Sequence, residues 1–165
     1  MFAVINQGEI MRKKVLARVA ALLAVPAIVM GISEPANAFG GNSLQQFASQ
    51  NCMDSGSPGL HMQACNSGSY QVWNVETYGN GAWQFWSGAY SNQCLDSPKA
   101  GSLRLFPCNN GSYQQWMPQA INGGAHGTSY RQLKNVATGQ CLDGNGKSLY
   151  VQDCNSGLYQ LWGRY

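Results

Sequence analysis

The chain has 165 residues, 44% of them hydrophobic and only 10% charged, with a formal net charge of +3. That length supports one domain, and the absence of a Lys/Arg cluster beyond the first forty residues excludes a nucleic-acid partner, whose phosphates need clustered cations. Twenty glycines and six cysteines point to a turn-rich, cross-linked chain.

The first segment reads as an export signal. Arg12, Lys13, Lys14 and Arg18 form a positive region, an apolar run from Val19 to Ile32 follows, and Ala36-Asn37-Ala38 supplies a small-x-small cleavage site. This pattern predicts a secretory signal peptide over residues 1–38, with translation expected to start at Met11. The run contains Pro26 and falls short of the roughly 20 residues of a membrane span, so no membrane insertion is expected after cleavage. Residues 39–165 hold six Lys/Arg and five Asp/Glu, a net charge of +1, so most of the basic excess belongs to the signal.

The rest of the chain writes one motif three times. Cys52-Met53-Asp54, Cys65 and Gln71-Val72-Trp73 come first. Cys94-Leu95-Asp96, Cys108 and Gln114-Gln115-Trp116 follow, and then Cys141-Leu142-Asp143, Cys154 and Gln160-Leu161-Trp162. The tryptophans are 43 and 46 residues apart. A period of this size marks supersecondary units that share one core. The repeats run over 39–80, 81–124 and 125–165.

Within each repeat, turn signals such as Ser57-Pro58-Gly59, Gly79-Asn80-Gly81, Asn109-Asn110-Gly111, Asn122-Gly123-Gly124 and Gly144-Asn145-Gly146 separate short alternating segments. An all-β chain is predicted. The clearest strands precede the second cysteine: Leu60–Gln63, Leu103–Phe106 and Leu149–Gln152. Alternation turns Leu60/Met62, Leu103/Leu105 and Leu149/Val151 to the core and His61, Arg104 and Tyr150 the other way, with Gln63, Phe106 and Gln152. Trp73, Trp116 and Trp162 are expected as core anchors, and the glutamine two residues before each as a structural hydrogen-bonding residue. Sugar contact is the competing role for both.

Six cysteines in a secreted chain imply disulfides. Fifteen connectivities exist, and repeat symmetry favours Cys52–Cys65, Cys94–Cys108 and Cys141–Cys154. Zinc is the rival reading. It lacks a C-x-x-C pair, and His61 and His126 occupy unrelated repeat positions, so no metal or cofactor is expected.

Three copies of Cys-x-Asp, Cys and Gln-x-Trp in register resemble the ricin B-type lectins, also called family 13 carbohydrate-binding modules. The resemblance covers 39–165. It implies a β-trefoil of twelve strands with three pseudo-symmetric repeats of about 42 residues and a shallow sugar pocket in each. The strings Cys65-Asn66-Ser67-Gly68-Ser69-Tyr70-Gln71 and Cys108-Asn109-Asn110-Gly111-Ser112-Tyr113-Gln114 are most similar to the actinohivin type within the family, which binds α1,2-linked mannose. Carried over by residue, the pockets are Asp143, Tyr150, Asn155 and Tyr159; Asp54, His61, Asn66 and Tyr70; and Asp96, Arg104, Asn109 and Tyr113. His61 and Arg104 depart from the aromatic of that pattern. Galactose- and xylan-binding members often place an aromatic two residues before the second cysteine, which only Phe106 matches.

Chemistry supports such roles. A carboxylate accepts two sugar hydroxyl hydrogen bonds, and a tyrosine offers a flat face to the less polar side of a pyranose. The competing roles are a turn cap for each aspartate and simple packing for Tyr70, Tyr113 and Tyr159. Catalysis is not expected, because glycoside hydrolysis needs two carboxylates about 5–10 Å apart and three-fold symmetry is expected to hold the three repeat-related aspartates far apart. The expected protein is a secreted, extracellular, monomeric lectin for polysaccharide or glycoprotein glycans. The alternatives are a trefoil scaffold that binds protein, such as a protease inhibitor, or a xylan- or galactose-binding accessory module.

Overall fold

The computed structural model describes residues 43–121 and 129–164. The signal segment, His126 and the Asn122-Gly123-Gly124 turn lie outside the described residues. Twelve short strands follow one another: β1 (Leu44–Gln46), β2 (Asn51–Asp54), β3 (His61–Ala64), β4 (Trp73–Thr77), β5 (Trp83–Ser87), β6 (Gln93–Asp96), β7 (Arg104–Pro107), β8 (Trp116–Gln119), β9 (Tyr130–Asn135), β10 (Cys141–Gly144), β11 (Leu149–Gln152) and β12 (Leu161–Arg164). The strands β4-β5-β8-β9-β12-β1 pair antiparallel in that order, and the hairpins β2–β3, β6–β7 and β10–β11 hang from them through β1, β5 and β9. This is the all-β trefoil, with four strands in each of three units.

The first two of the clearest predicted strands begin one residue late, at His61 and Arg104, so Leu60 and Leu103 fall just outside regular pairing. All three leucines at this point, with Leu149, still pack against the core while partly exposed. Glycine fits the turns where the chain takes a positive φ, as at Gly81 (84°) and Gly146 (85°).

The core is built from repeat-related triplets. Leu44, Phe85 and Leu133 form one, Met53, Leu95 and Leu142 a second, and Trp73, Trp116 and Trp162 a third, all essentially without solvent exposure. Each unit alone has too little apolar surface for a core, so three must close together. The indole N–H of each tryptophan donates to a backbone carbonyl: Trp73 to Met53 (3.1 Å), Trp116 to Leu95 (3.2 Å) and Trp162 to Leu142 (3.0 Å). The tryptophans are core residues with their one polar atom satisfied.

Disulfides join Cys52–Cys65, Cys94–Cys108 and Cys141–Cys154, each within one repeat. Loops of this length contribute about 3 kcal/mol each in the chain-entropy account. Gln71, Gln114 and Gln160 are fully buried. Their Oε1 accepts the N–H of Asn66, Asn109 and Asn155, and their Nε2 donates to the carbonyls of Ala64, Pro107 and Asp153. Two further buried glutamines back this arrangement, Gln84 onto Gln114 and Gln132 onto Gln160. Ser43 takes the matching place in the first repeat.

Gln114→Leu removes the buried amide that bonds the part-buried Asn109 N–H and Pro107 carbonyl, and leaves the buried Gln84 Nε2 without its Gln114 acceptor. It is expected to destabilise the fold by about 2–4 kcal/mol in a denaturant titration. A loss under about 1 kcal/mol, the size of a neutral surface change, would remove the structural role assigned to this glutamine.

Candidate functional site

Each hairpin sets its aspartate directly across from a residue at the start of the return strand, the first residue in β3 and β7 and the second in β11. The pairs are Asp54 opposite His61, Asp96 opposite Arg104 and Asp143 opposite Tyr150. The indole bond just described falls on the residue before each aspartate, so the core holds the strand that carries the carboxylate. All three aspartates are buried at 2–3% exposure. Buried carboxylates require hydrogen-bond partners, and the partners differ between repeats.

In the third repeat, Gln152 Nε2 donates to Asp143 Oδ2 (2.5 Å), while Oδ1 is buried and receives no hydrogen bond of ordinary geometry from the described residues. The Tyr150 phenol lies beside this carboxylate. Burial, then the Asp143 charge and hydrogen bonding, and then Tyr159 push its ionisation above the ordinary value near 10. In the first repeat, Gln63 Nε2 donates to Asp54 Oδ2, and Asp54 Oδ1 accepts the Gly56 N–H (2.6 Å). His61 Nδ1 is 2.6 Å from the Gly59 carbonyl oxygen, and its Nε2 is 3.9 Å from Asp54 Oδ1. In the second repeat, Phe106 replaces the glutamine. Arg104 Nε donates instead to Asp96 Oδ1 (2.9 Å), and its guanidinium carbon lies 4.1 Å from the Phe106 ring centre. The side chain of Arg104 thus covers both the carboxylate and one face of the aromatic in that pocket.

The second contributor to each pocket is the 3-10 turn before Gln-x-Trp, at Ser69–Gln71, Ser112–Gln114 and Leu158–Gln160. Tyr70, Tyr113 and Tyr159 sit at the turn centres with rings 46%, 48% and 50% exposed. Their backbone is fixed while the residues stay about half exposed. Ser55 N–H and Oγ bond the Tyr70 carbonyl, Ser97 N–H and Asn135 Nδ2 the Tyr113 carbonyl, and Gln46 Nε2 the Tyr159 carbonyl. Three aromatic faces therefore stand in solvent at fixed positions.

Asn66, Asn109 and Asn155 stand at the entry to these turns. Each Oδ1 accepts the N–H two residues on, from Gly68, Gly111 and Gly157, at 2.7 Å. A Cβ on these glycines would lie 2.6–2.7 Å from that oxygen, so a side chain there would displace the asparagine amide. Only the Nδ2 donors of the asparagines remain, and each leans on a backbone carbonyl at 3.2–3.4 Å.

Reading by repeat position missed Gln63 and Gln152 as supports for the aspartates. Their outward direction was visible, but their partner depends on hairpin register. Two cavities are present, and Arg104 of the second repeat lines the smaller one. One of about 300 Å³ gathers Leu60, Leu103, Leu105 and Leu149 where the hairpins meet, and one of about 350 Å³ lies among Trp83, Arg131, Trp162 and Arg164. Among the described residues no group of three His, Cys, Asp or Glu side chains is placed to hold a metal.

For Tyr150, a folded value above the unfolded one means that the protonated phenol contributes stability in full below about pH 10, and this is lost as pH rises through the higher folded value. Tyr78 is raised too, by burial and then by Glu76, so Tyr150→Phe is expected to shrink the late step of the alkaline ultraviolet titration by one tyrosine while Tyr78 keeps the rest. An unchanged late step would place the shifted phenol elsewhere.

Comparison with known proteins agrees with this geometry. The model of the ricin-type β-trefoil lectin domain matches residues 41–162. No curated protein matches the sequence. Among solved structures, the designed three-fold symmetric protein ThreeFoil superposes with a TM-score of 0.64 at 19% identity, covering 75% of this chain and 96% of that one. SeviL, in a structure bound to asialo-GM1 saccharide, gives 0.64 at 12% identity over 77% of this chain and 97% of its own. An exo-β-1,3-galactanase from Clostridium thermocellum gives 0.62 at 18% identity, with 75% of this chain covering 29% of the enzyme. The family match spans all three repeats, and the chain belongs to the ricin-type β-trefoil lectin domain family.

Proposed function

We infer that this protein is a secreted, non-catalytic lectin that binds glycans through the pockets of its first and third repeats. The observation that carries this reading is Asp143, whose buried Oδ1 lacks a full partner while Gln152 holds Oδ2, beside the phenol of Tyr150 and near the half-exposed Tyr159. A sugar hydroxyl supplies the missing donor, and the tyrosine face takes the apolar side of the pyranose. The pattern of Asp143, Tyr150, Asn155 and Tyr159 favours mannose-type glycans. Asn155 acts there as the turn former that places Tyr159, and offers only its Nδ2 as a donor.

The second repeat is inactive in this reading. Arg104 already pairs with Asp96 and covers Phe106, so a sugar would have to displace an ion pair and a stacked guanidinium together. This also weighs against a galactose- or xylan-type site built on Phe106. No pocket offers the paired carboxylates of a glycosidase, because the side chains on the aspartates are Gln63, Arg104 and Gln152. Three disulfides and the signal-like first segment support export to an oxidising compartment.

A single shallow pocket of millimolar affinity corresponds to about −4 kcal/mol. Two pockets on one monomer gain avidity on repetitive glycans, by roughly 10²–10⁴ where spacing permits. Polysaccharides and densely glycosylated surfaces are the fitting targets.

The test is a glycan array with disulfide-bonded 39–165, followed by variants. Asp143→Ala removes a charge-assisted hydrogen bond and is expected to weaken monosaccharide binding at its pocket by about 10–100-fold. Asp96→Ala is expected to leave glycan binding unchanged. Equal losses from both would mean that the second pocket is live. An array without any bound glycan would favour the protein-binding alternative.

A further inference from the structure

Among the described residues, the tyrosine of the first pocket alone has a ring contact from another repeat. Between the residues that join barrel strand to hairpin, the three repeats have loops of unequal length. Gln45 pairs with Cys52, Trp86 with Cys94 and Lys134 with Cys141, leaving six, seven and six residues between them. The longer loop carries Tyr90. At the same distance along the other loops stand Ser49 and Thr138, whose hydroxyls fold back onto Gln46 (2.7 Å) and Asn135 (3.2 Å) of their own strands. Tyr90 instead reaches into the neighbouring repeat. Its ring centre is 5.8 Å from that of Tyr70, with the planes at 49°.

The loop is held there by contacts independent of that ring. Gly88 N–H donates to the Val72 carbonyl (2.7 Å), one residue past the turn that carries Tyr70. Any Cβ on Gly88 would come within 2.9 Å of Val72, so this approach requires glycine. Ser87 Oγ lies 3.3 Å from Ser55 Oγ and also accepts the N–H groups of Ala89 and Tyr90. The extra residue therefore carries the tyrosine onto the first pocket by a fixed path.

A buried aromatic pair would be ordinary packing. These rings remain 46% and 41% exposed, so each keeps an open face. The wall continues to the carboxylate. A Cβ built on Gly56 would lie 2.9 Å from Asp54 Oδ1 and 3.3 Å from the Tyr70 ring, which places both beside one point. The acceptor end is thus the buried Asp54 carboxylate, which already holds the Gly56 N–H and Gln63 Nε2, and the partly exposed Tyr70 and Tyr90 rings extend the surface beyond it. One pyranose over Tyr70 fills the acceptor end and leaves the Tyr90 face open.

We propose that the first pocket is an extended site for a disaccharide or longer glycan, in which Tyr90 stacks the second pyranose while the third pocket holds a single terminal sugar. This rests on the reading of Asp54 and Tyr70 as a sugar site.

The experiment is an NMR titration read at the Gly56 amide, which bonds Asp54 and so reports the first pocket alone. The probes are mannose, galactose and xylose with the α1,2-mannobiose, β1,3-galactobiose and β1,4-xylobiose built from them. For the sugar that binds, the disaccharide is expected to bind about five- to tenfold tighter than the monosaccharide, and Tyr90→Ser to abolish that gain without changing monosaccharide affinity. Tyr90→Ser alters an exposed loop residue and is expected to fold. An equal gain in Tyr90→Ser, or no gain in the parent, overturns the extended site while the lectin reading stands. No response of Gly56 to any of the six sugars overturns the first pocket as a sugar site and the extension with it.

Discussion

One tripeptide frame, Gln-x-Trp, with its glutamine and tryptophan buried, governs the placement of the candidate site residues. The tryptophan N–H bonds the carbonyl just before the aspartate, on the outgoing strand of the hairpin. The glutamine bonds the carbonyl just before the second cysteine, on the return strand, and the N–H just after it. The disulfide then closes the two strands on each other. A short hairpin, buried on its outgoing strand and partly exposed on its return strand, is thereby fixed at both edges by side chains from the core. Shallow pockets gain from this, because a preorganised surface loses less entropy on binding.

The same frame gives three unequal pockets, and small substitutions account for the inequality. A glutamine supports the aspartate in the first and third repeats, and an arginine neutralises it in the second. The opposing residue is histidine, arginine or tyrosine. One inserted residue brings Tyr90 onto the first pocket only. None of these changes touches the core triplets, so the fold is insensitive to them. Symmetry in the core with divergence at the rim lets one architecture present different sites.

What repeats in this chain was legible without coordinates. Three copies of a cysteine pair and a tryptophan mark core and cross-links, because each copy supports the interpretation of the others. The glutamine before each tryptophan was legible for the same reason. Single-copy features were not. Arg104 stood out as a departure, but its ion pair to Asp96 and its place over Phe106 follow from hairpin register. Gln63 and Gln152 appeared as missing aromatics, whereas register sets them on the aspartates. Asn66, Asn109 and Asn155 matched a ligand pattern, while the model ties their oxygens to the following glycines. Tyr90 carried no signal, because its partner lies twenty residues earlier in another repeat.

The central claim is that the three repeats carry two open pockets and one closed by its own arginine. The most direct measurement is the number of sugars bound per chain, read by isothermal titration calorimetry with a monosaccharide chosen from the array. Saturation at two sugars per chain agrees with the account. Saturation at three would contradict it, because Arg104 would then have yielded Asp96 to ligand.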